Sequence, residues 1–163
     1  MKDKKKNIFP IILIILLVFL GVIIIYQKTQ NYGSLSEEEI EALNLAINDE
    51  YKAKATYEKV IDKFGEVKPF TNIINAEEQH IKRLESIYNE YNIEIPDDNW
   101  YEKVPEFDSI QLACQAGVQA EIENADLYDE LKQMTNNSNI LSVFNALQSA
   151  SRNNHLPAFQ NCA

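Results

Sequence analysis

Apolar side chains recur along this chain at alternating steps of three and four residues, the period of helices that bury one face. One such row runs Ile40, Leu43, Ile47, Glu50, Lys54, Tyr57, Ile61, Phe64. Ser36 with Glu39 three residues on is a capping-box signature at its start, and Gly65 is placed to close it. A second row, Phe70, Ile73, Glu77, His80, Leu84, Ile87, Tyr91, predicts a helix from near Pro69 to about Tyr91. A third begins near Asp108 or Ser109 and reads Ile110, Cys114, Gly117, Glu121, Asn124, Tyr128, Leu131 before "TNNSN" interrupts it. A fourth helix is expected from about Ile140 to the C-terminus. No stretch after the first thirty residues alternates like a strand, so the fold class is all-α.

Loop lengths constrain how four helices pack. The short connections "GEVK" and "TNNSN" make helices one and two, and three and four, antiparallel neighbours. The link between helices two and three is about 16 residues and carries Pro96, Pro105 and Trp100. Extended, it reaches roughly 50 Å, enough to run the length of a ~24-residue helix. One long crossover of this kind is the connectivity of ferritin-like four-helix bundles, with a simple up-down-up-down bundle as the alternative.

Ahead of this domain the pattern changes. Residues 8–26 are one uninterrupted apolar run, long enough to cross a bilayer. Lys2, Lys4, Lys5 and Lys6 precede it and only Lys28 follows closely. The positive-inside bias then expects a cytoplasmic tail at 1–7, a transmembrane signal anchor at 8–26, a linker at 27–35 and an extracytoplasmic bundle at 36–163. A cleaved signal peptide is the competing reading; the run is long for one and no small-x-small site follows it. Without Asp3 and the five lysines up to Lys28, 24 acidic and 10 basic residues remain, a net charge of −14. That balance repels nucleic acid and anionic headgroups.

The seams themselves hold the candidate chemistry. Glu50, Glu77, His80 and Glu121 stand where the period calls for apolar side chains, and His155 lies toward the end of helix four. The chain has only two histidines, and both belong to this set. Buried carboxylates repel one another unless a proton or cation compensates them. Carboxylate and imidazole suit iron, manganese or zinc, and Glu-x-x-His puts both groups on one helix face. An internal repeat supports the grouping. "EYKAKATY" and "EIENADLY" both pair Glu with a Tyr seven residues later, giving Glu50/Tyr57 and Glu121/Tyr128. "EEQH" is matched by "RNNH" in helix four. Tyr57 and Tyr128 are then either partners that orient the carboxylates or ordinary core tyrosines.

These motifs, with the Gly117–Glu121–Asp126–Leu127 stretch and "SRNNHLPAF", resemble a ferritin-like family known as domain of unknown function 2202, related to rubrerythrins and bacterioferritins. The resemblance spans about Leu35 to Cys162. It implies a four-helix bundle in a clan whose better-known members bind two iron or manganese ions and handle oxygen, peroxide or iron. The clan's ligand pattern falls on Glu50, Glu77, His80, Glu121 and His155, and it breaks at Arg152, where a sixth ligand, glutamate, is expected. Ser151 is no substitute. The final motif is also one residue longer than the family's "SRNHL", which suggests a π-bulge that turns Arg152 relative to His155. Arg152 either tunes the site or neutralises the acids itself, leaving a metal-free core. Glu123 and Glu78 are expected to face away.

Cys114 and Cys162 each lie seven residues from a candidate ligand, and their index sum equals that of Glu121 and His155. Paired antiparallel helices would bring the thiols together, and a disulfide closing that loop would add on the order of 3–4 kcal/mol; two buried thiols are the alternative. Asn136 of "NNS" fits a glycosylation sequon. The sequence thus reads as a membrane-anchored, metal-dependent redox protein using iron or manganese, with zinc or no metal as alternatives. It lacks a rubredoxin-like cysteine module, so an electron-donor protein is the expected partner. A homo-oligomer is compatible with the chain; a storage cage is disfavoured, since every subunit would bring a spanning helix. The competing function is a non-catalytic envelope module that keeps only the fold.

Overall fold

A computed structural model describes residues 34–163. The tail and anchor expected at 1–7 and 8–26 lie outside the described residues. Among the described residues no helix is long and apolar enough to cross a membrane. Four long helices and no strand occur there: α1 (Glu37–Phe64), α2 (Phe70–Tyr91), α3 (Ile110–Leu131) and α4 (Ser138–Ala150). A π-helical turn at Ser151–His155 and a short α5 (Leu156–Gln160) complete the chain. The fourth helix is therefore not one continuous α-helix. The extra residue of "SRNNH" is absorbed as a π turn, and Pro157 has no N–H to return to the carbonyl of Asn153.

Local chemistry fixes each boundary. The Ser36 hydroxyl accepts from the Glu39 N–H at 3.2 Å while the Glu39 carboxylate accepts from the Ser36 N–H at 2.9 Å. Glu37, Glu38 and Glu39 also complement the positive end of the α1 dipole. Gly65 ends α1 at φ 83°, a conformation that other residues rarely adopt, and its N–H reaches the Ile61 carbonyl. Asn92 ends α2 in the left-handed region at φ 53°, which asparagine tolerates. Ser109 caps α3 through the Leu112 N–H, and Asn137 caps α4 through those of Asn139 and Ile140.

Side-chain bonds define the directions. Tyr57 donates to Glu121 and Tyr128 donates to Glu50, a crossed pair that makes α1 and α3 antiparallel neighbours. Tyr88 to Asn44 and His80 to Glu50 do the same for α2 and α1. Consequently α2 and α3 run in the same direction, and the link between them must climb the length of the bundle. It does so along α1. The Trp100 indole donates to Asn48, Lys54 pairs with Asp98 at 2.8 Å, Lys59 donates to the Val104 carbonyl, and Lys63 faces Glu106.

The interior divides into two apolar layers. Leu43, Ile47, Tyr88, Leu131, Phe144 and Leu147 belong to one, and Tyr57, Val60, Phe70, Cys114 and Phe159 to the other. Each fully buried large side chain contributes on the order of 1.5–3 kcal/mol. Glu50, Glu77, His80, Glu121 and His155 fall between the layers along every helix that supplies them. In the second layer Cys114 and Cys162 form a disulfide, Cα–Cα 5.7 Å, across 48 residues. Beside it, a Cβ on Gly117 would lie 2.6 Å from the Phe159 ring.

Two outcomes are expected. Reduction, or the Cys114→Ser/Cys162→Ser pair, should lower unfolding free energy by about 3–4 kcal/mol in urea titration of the metal-free chain. Gly117→Ala should cost about 1–3 kcal/mol, because the buried Phe159 ring must move.

Candidate metal centre

α1 contributes Glu50, α2 contributes Glu77 and His80 one turn apart, α3 contributes Glu121, and the π turn contributes His155. All five are at most 6% exposed. Two triads result, Glu50–Glu77–His80 and Glu77–Glu121–His155, each with ligand atoms within 4.8 Å of one another. Glu77 belongs to both. Its Oε2 lies 2.9 Å from His80 Nδ1 and its Oε1 lies 3.2 Å from His155 Nδ1. The outer acids complete the triads: Glu50 Oε2 is 3.0 Å from His80 Nδ1, and Glu121 Oε2 is 3.4 Å from His155 Nδ1. The imidazoles stack with centroids 5.5 Å apart.

The tyrosines of the repeat take the remaining carboxylate oxygens. Tyr57 donates to Glu121 Oε1 at 2.8 Å and Tyr128 to Glu50 Oε1 at 2.7 Å. Burial, with the neighbouring carboxylates, holds both phenols well above their ordinary pKa, so they remain donors. Both tyrosines are also core residues, so the two readings of them from sequence describe different ends of the same side chain.

Arg152 corrects an expectation. It does not enter the cluster and touches none of its carboxylates. Its side chain is 44% exposed and pairs with Asp129 at 2.5 Å. The π turn is the reason: it turns Ser151 inward, where it is buried, and Arg152 outward. A guanidinium therefore does not neutralise these acids. Glu123 is exposed and bonded to Gln119, and Glu78 is exposed, as their helix positions require.

Asn124, Ser151 and Asp49 were not among the site residues read from sequence. Asn124 donates to Asp49 at 2.8 Å and to Glu50 Oε1 at 3.4 Å, and accepts from the Ser151 hydroxyl at 2.5 Å. A polar residue at the Asn124 position of the third seam was a usable signal. For Ser151 the only cue was the extra residue in its motif, and Asp49 had none.

Charge is the chemical question here. Burial, then the charge of Glu77, raises the Glu50 pKa. Burial acts the same way on Glu77, but its contacts with His155 and His80 outweigh it and lower the value. Burial disfavours charge on the imidazoles, yet the carboxylates overcome it: His80 is raised to about 9 and His155 to about 10. Without a metal the rings are imidazolium at neutral pH. Even so, His155 Nδ1 is buried with no hydrogen-bond partner of acceptable geometry. His80 Nδ1 bonds Glu50 Oε2, so the unpaired donor lies in the second triad, between Glu77 and Glu121. Buried carboxylates and imidazole nitrogens arranged this way can hold a metal ion, and the residues present fit one.

A family model described as "Uncharacterized protein domain (DUF2202)" matches residues 39–162. The chain belongs to the DUF2202 family. The matched span contains all five candidate ligands, both tyrosines and both cysteines. The solved structures include a similar one, the crystal structure of hypothetical protein MJ0754 from Methanococcus jannaschii DSM 2661. It is 27% identical with a TM-score of 0.71, over 78% of this chain and 80% of that one. No curated protein matches.

The imidazolium state predicts a pH dependence for the metal-free DUF2202 domain. Folded-state pKa values raised above about 6.5 stabilise fully below that value, and the benefit is lost as pH climbs through about 9 to 10. Denaturation in chelator should therefore show stability falling between pH 7 and 9.5. A flat profile would mean that ring protons do not balance the acids.

Proposed function

We propose that this protein is a ferritin-like, metal-dependent redox protein that reduces dioxygen or peroxide with iron or manganese. The observation that carries the reading is the pair of Glu/Glu/His triads sharing Glu77. Ferritin-like two-metal bundles take a glutamate from each of two helices and a Glu-x-x-His from each of the other two; this chain keeps both glutamates, one full Glu-x-x-His and the histidine of the second. The long link along α1 and the parallel run of α2 and α3 support the same relationship.

In this reading Glu50 and His80 would hold one ion and Glu121 and His155 the other, with Glu77 belonging to both groups. Iron or manganese held there would supply one-electron redox chemistry, with the electrons replenished by a donor. The chain's own residues do the rest. Tyr57 and Tyr128 fix the outer carboxylates, each leaving one oxygen free to face a metal. The apolar layers above and below keep bulk water from the acids. No acid stands in the second Glu-x-x-His, so the centre is less negative than the full clan pattern by one charge; Ser151 faces inward there but bonds Asn124 rather than the triads.

Location and partners follow from the sequence. The apolar run at 8–26 behind four lysines supports a single-pass anchor with the domain outside the cytoplasm. The Cys114–Cys162 disulfide agrees with an oxidising compartment. Electrons would come from a partner protein, because the chain has no cysteines beyond that pair. The missing sixth carboxylate favours a second reading, a metal-free envelope binding module.

Metal analysis separates the two. The full chain, purified in detergent and loaded with manganese or ferrous iron, should retain about two ions. Glu77→Ala should lose both, and His155→Ala should lose one. Trace metal in the parent and every variant would favour the binding module. Loading at pH 7 should release about two protons per chain, read by calorimetry in buffers of different ionisation enthalpy. Tyr128→Phe should keep the stoichiometry while weakening affinity about 10–100-fold.

A further inference from the structure

The buried centre has two approaches. Between α1 and α3 a narrow cleft of about 40 Å³ runs inward to Tyr57, Glu77 and Glu121. Between α2 and α4 a broader groove of about 340 Å³ lies against His80 and His155, with Arg83 on its wall. We infer that the α1–α3 cleft is the port through which metal ions and a small oxidant reach the site, and that Ala53, Ala116 and Ala120 set its size limit. The inference rests on the metal-binding reading above.

Three features distinguish this cleft. The first is its inner end. It reaches Glu77 and Glu121, the carboxylates shared by or completing the second triad, whereas the groove reaches the imidazoles. A hard divalent cation entering the cleft meets carboxylates first. The second is charge. Asp49 and Glu123 line the cleft against a single cation, Lys52, while Arg83 lines the groove. Local potential therefore favours cations in the cleft and disfavours them in the groove. Asn124 ties Asp49 to the centre, since its amide donates to both Asp49 and Glu50.

The third is calibre. On the scale where one water needs about 10–15 Å³, the cleft has room for about three water-sized molecules. Dioxygen, hydrogen peroxide or a partly dehydrated ion fits, and an organic substrate does not. The walls are narrow because α1 and α3 meet through Ala53, Ala116, Gly117 and Ala120. Longer side chains at the alanines would fill the space that these residues leave.

Stopped-flow uptake of manganese by the metal-free full chain tests the port, with final stoichiometry measured on the same samples. Ala53→Leu and Ala120→Leu should each slow uptake at least tenfold without changing the ions bound at equilibrium. Asp49→Asn should slow it several-fold and flatten its dependence on ionic strength, and this variant keeps the shape of the side chain where a leucine disturbs folding. Gln79→Trp, which covers the α2–α4 groove from an exposed position, should leave the rate within twofold. In manganese-loaded protein the leucine variants should also slow reaction with hydrogen peroxide. Stoichiometric metal with uptake slowed by Gln79→Trp, or by none of the four, overturns the port while sparing the centre. No stoichiometric metal in the parent overturns the centre itself.

Discussion

Three carboxylates share the interior of this bundle, and one of them, Glu77, touches both imidazoles. Leaving any one of them uncompensated in that setting would cost several kcal/mol. Compensation must therefore come from protons on His80, His155 or Glu50, whose pKa burial and Glu77 raise, or from cations between the acids. Most of the architecture follows from this requirement. Four helical segments have to bring one or two polar groups each to the same height, and the phenols must occupy the oxygens that face away from the shared centre. Apolar layers on either side raise the cost of any misplacement, which in turn makes the register of all four segments strict.

The arrangement is a near-symmetric pair with one deliberate break. The α1–α2 half supplies Glu50, Glu77 and His80; the α3–π-turn half supplies Glu121 and His155 but no second Glu-x-x-His acid. An α-helical register would have aimed Arg152 at the cluster, where a guanidinium would compete with any metal for the carboxylates. Widening one turn into a π-helix sends that charge to Asp129 and leaves the small hydroxyl of Ser151 inside. Ser151 then connects through Asn124 to Glu50 and Asp49, so polar continuity is kept without adding negative charge.

Two devices hold this centre in register from outside. The link between α2 and α3 lies along α1, and Lys54, Lys59 and Lys63 secure it at successive turns. The disulfide joins the start of α3 to the last residues of the chain, so the segment bearing His155 is fastened on both sides of the π turn. Small residues between α1 and α3 allow close approach while keeping a narrow opening to Glu77 and Glu121.

Much of this was legible in the chain alone. Helical periodicity located the long helices, because most of the side chains that repeat in sequence are buried; Ile110 at the head of the third row is exposed, and Ile40, Lys54, Ile61, Phe64 and Tyr91 are half-buried. The candidate ligands showed as ionisable residues interrupting apolar seams, and the equal spacing of Glu50/Tyr57 and Glu121/Tyr128 marked two matching halves; that each tyrosine bonds the glutamate of the other helix was decided by the packing of α1 on α3. Side-chain direction within an irregular turn was not legible. Sequence placed Arg152 at the edge of the cluster, and only the packed π turn decided that it points to Asp129. Asp49 and the cleft beside it were likewise invisible, since an acid next to a seam looks like any surface acid until a second helix closes over it. Periodicity is a property of one helix at a time and is written in the chain; orientation at a bulge and space between helices are properties of neighbours, and only the tertiary structure supplies them.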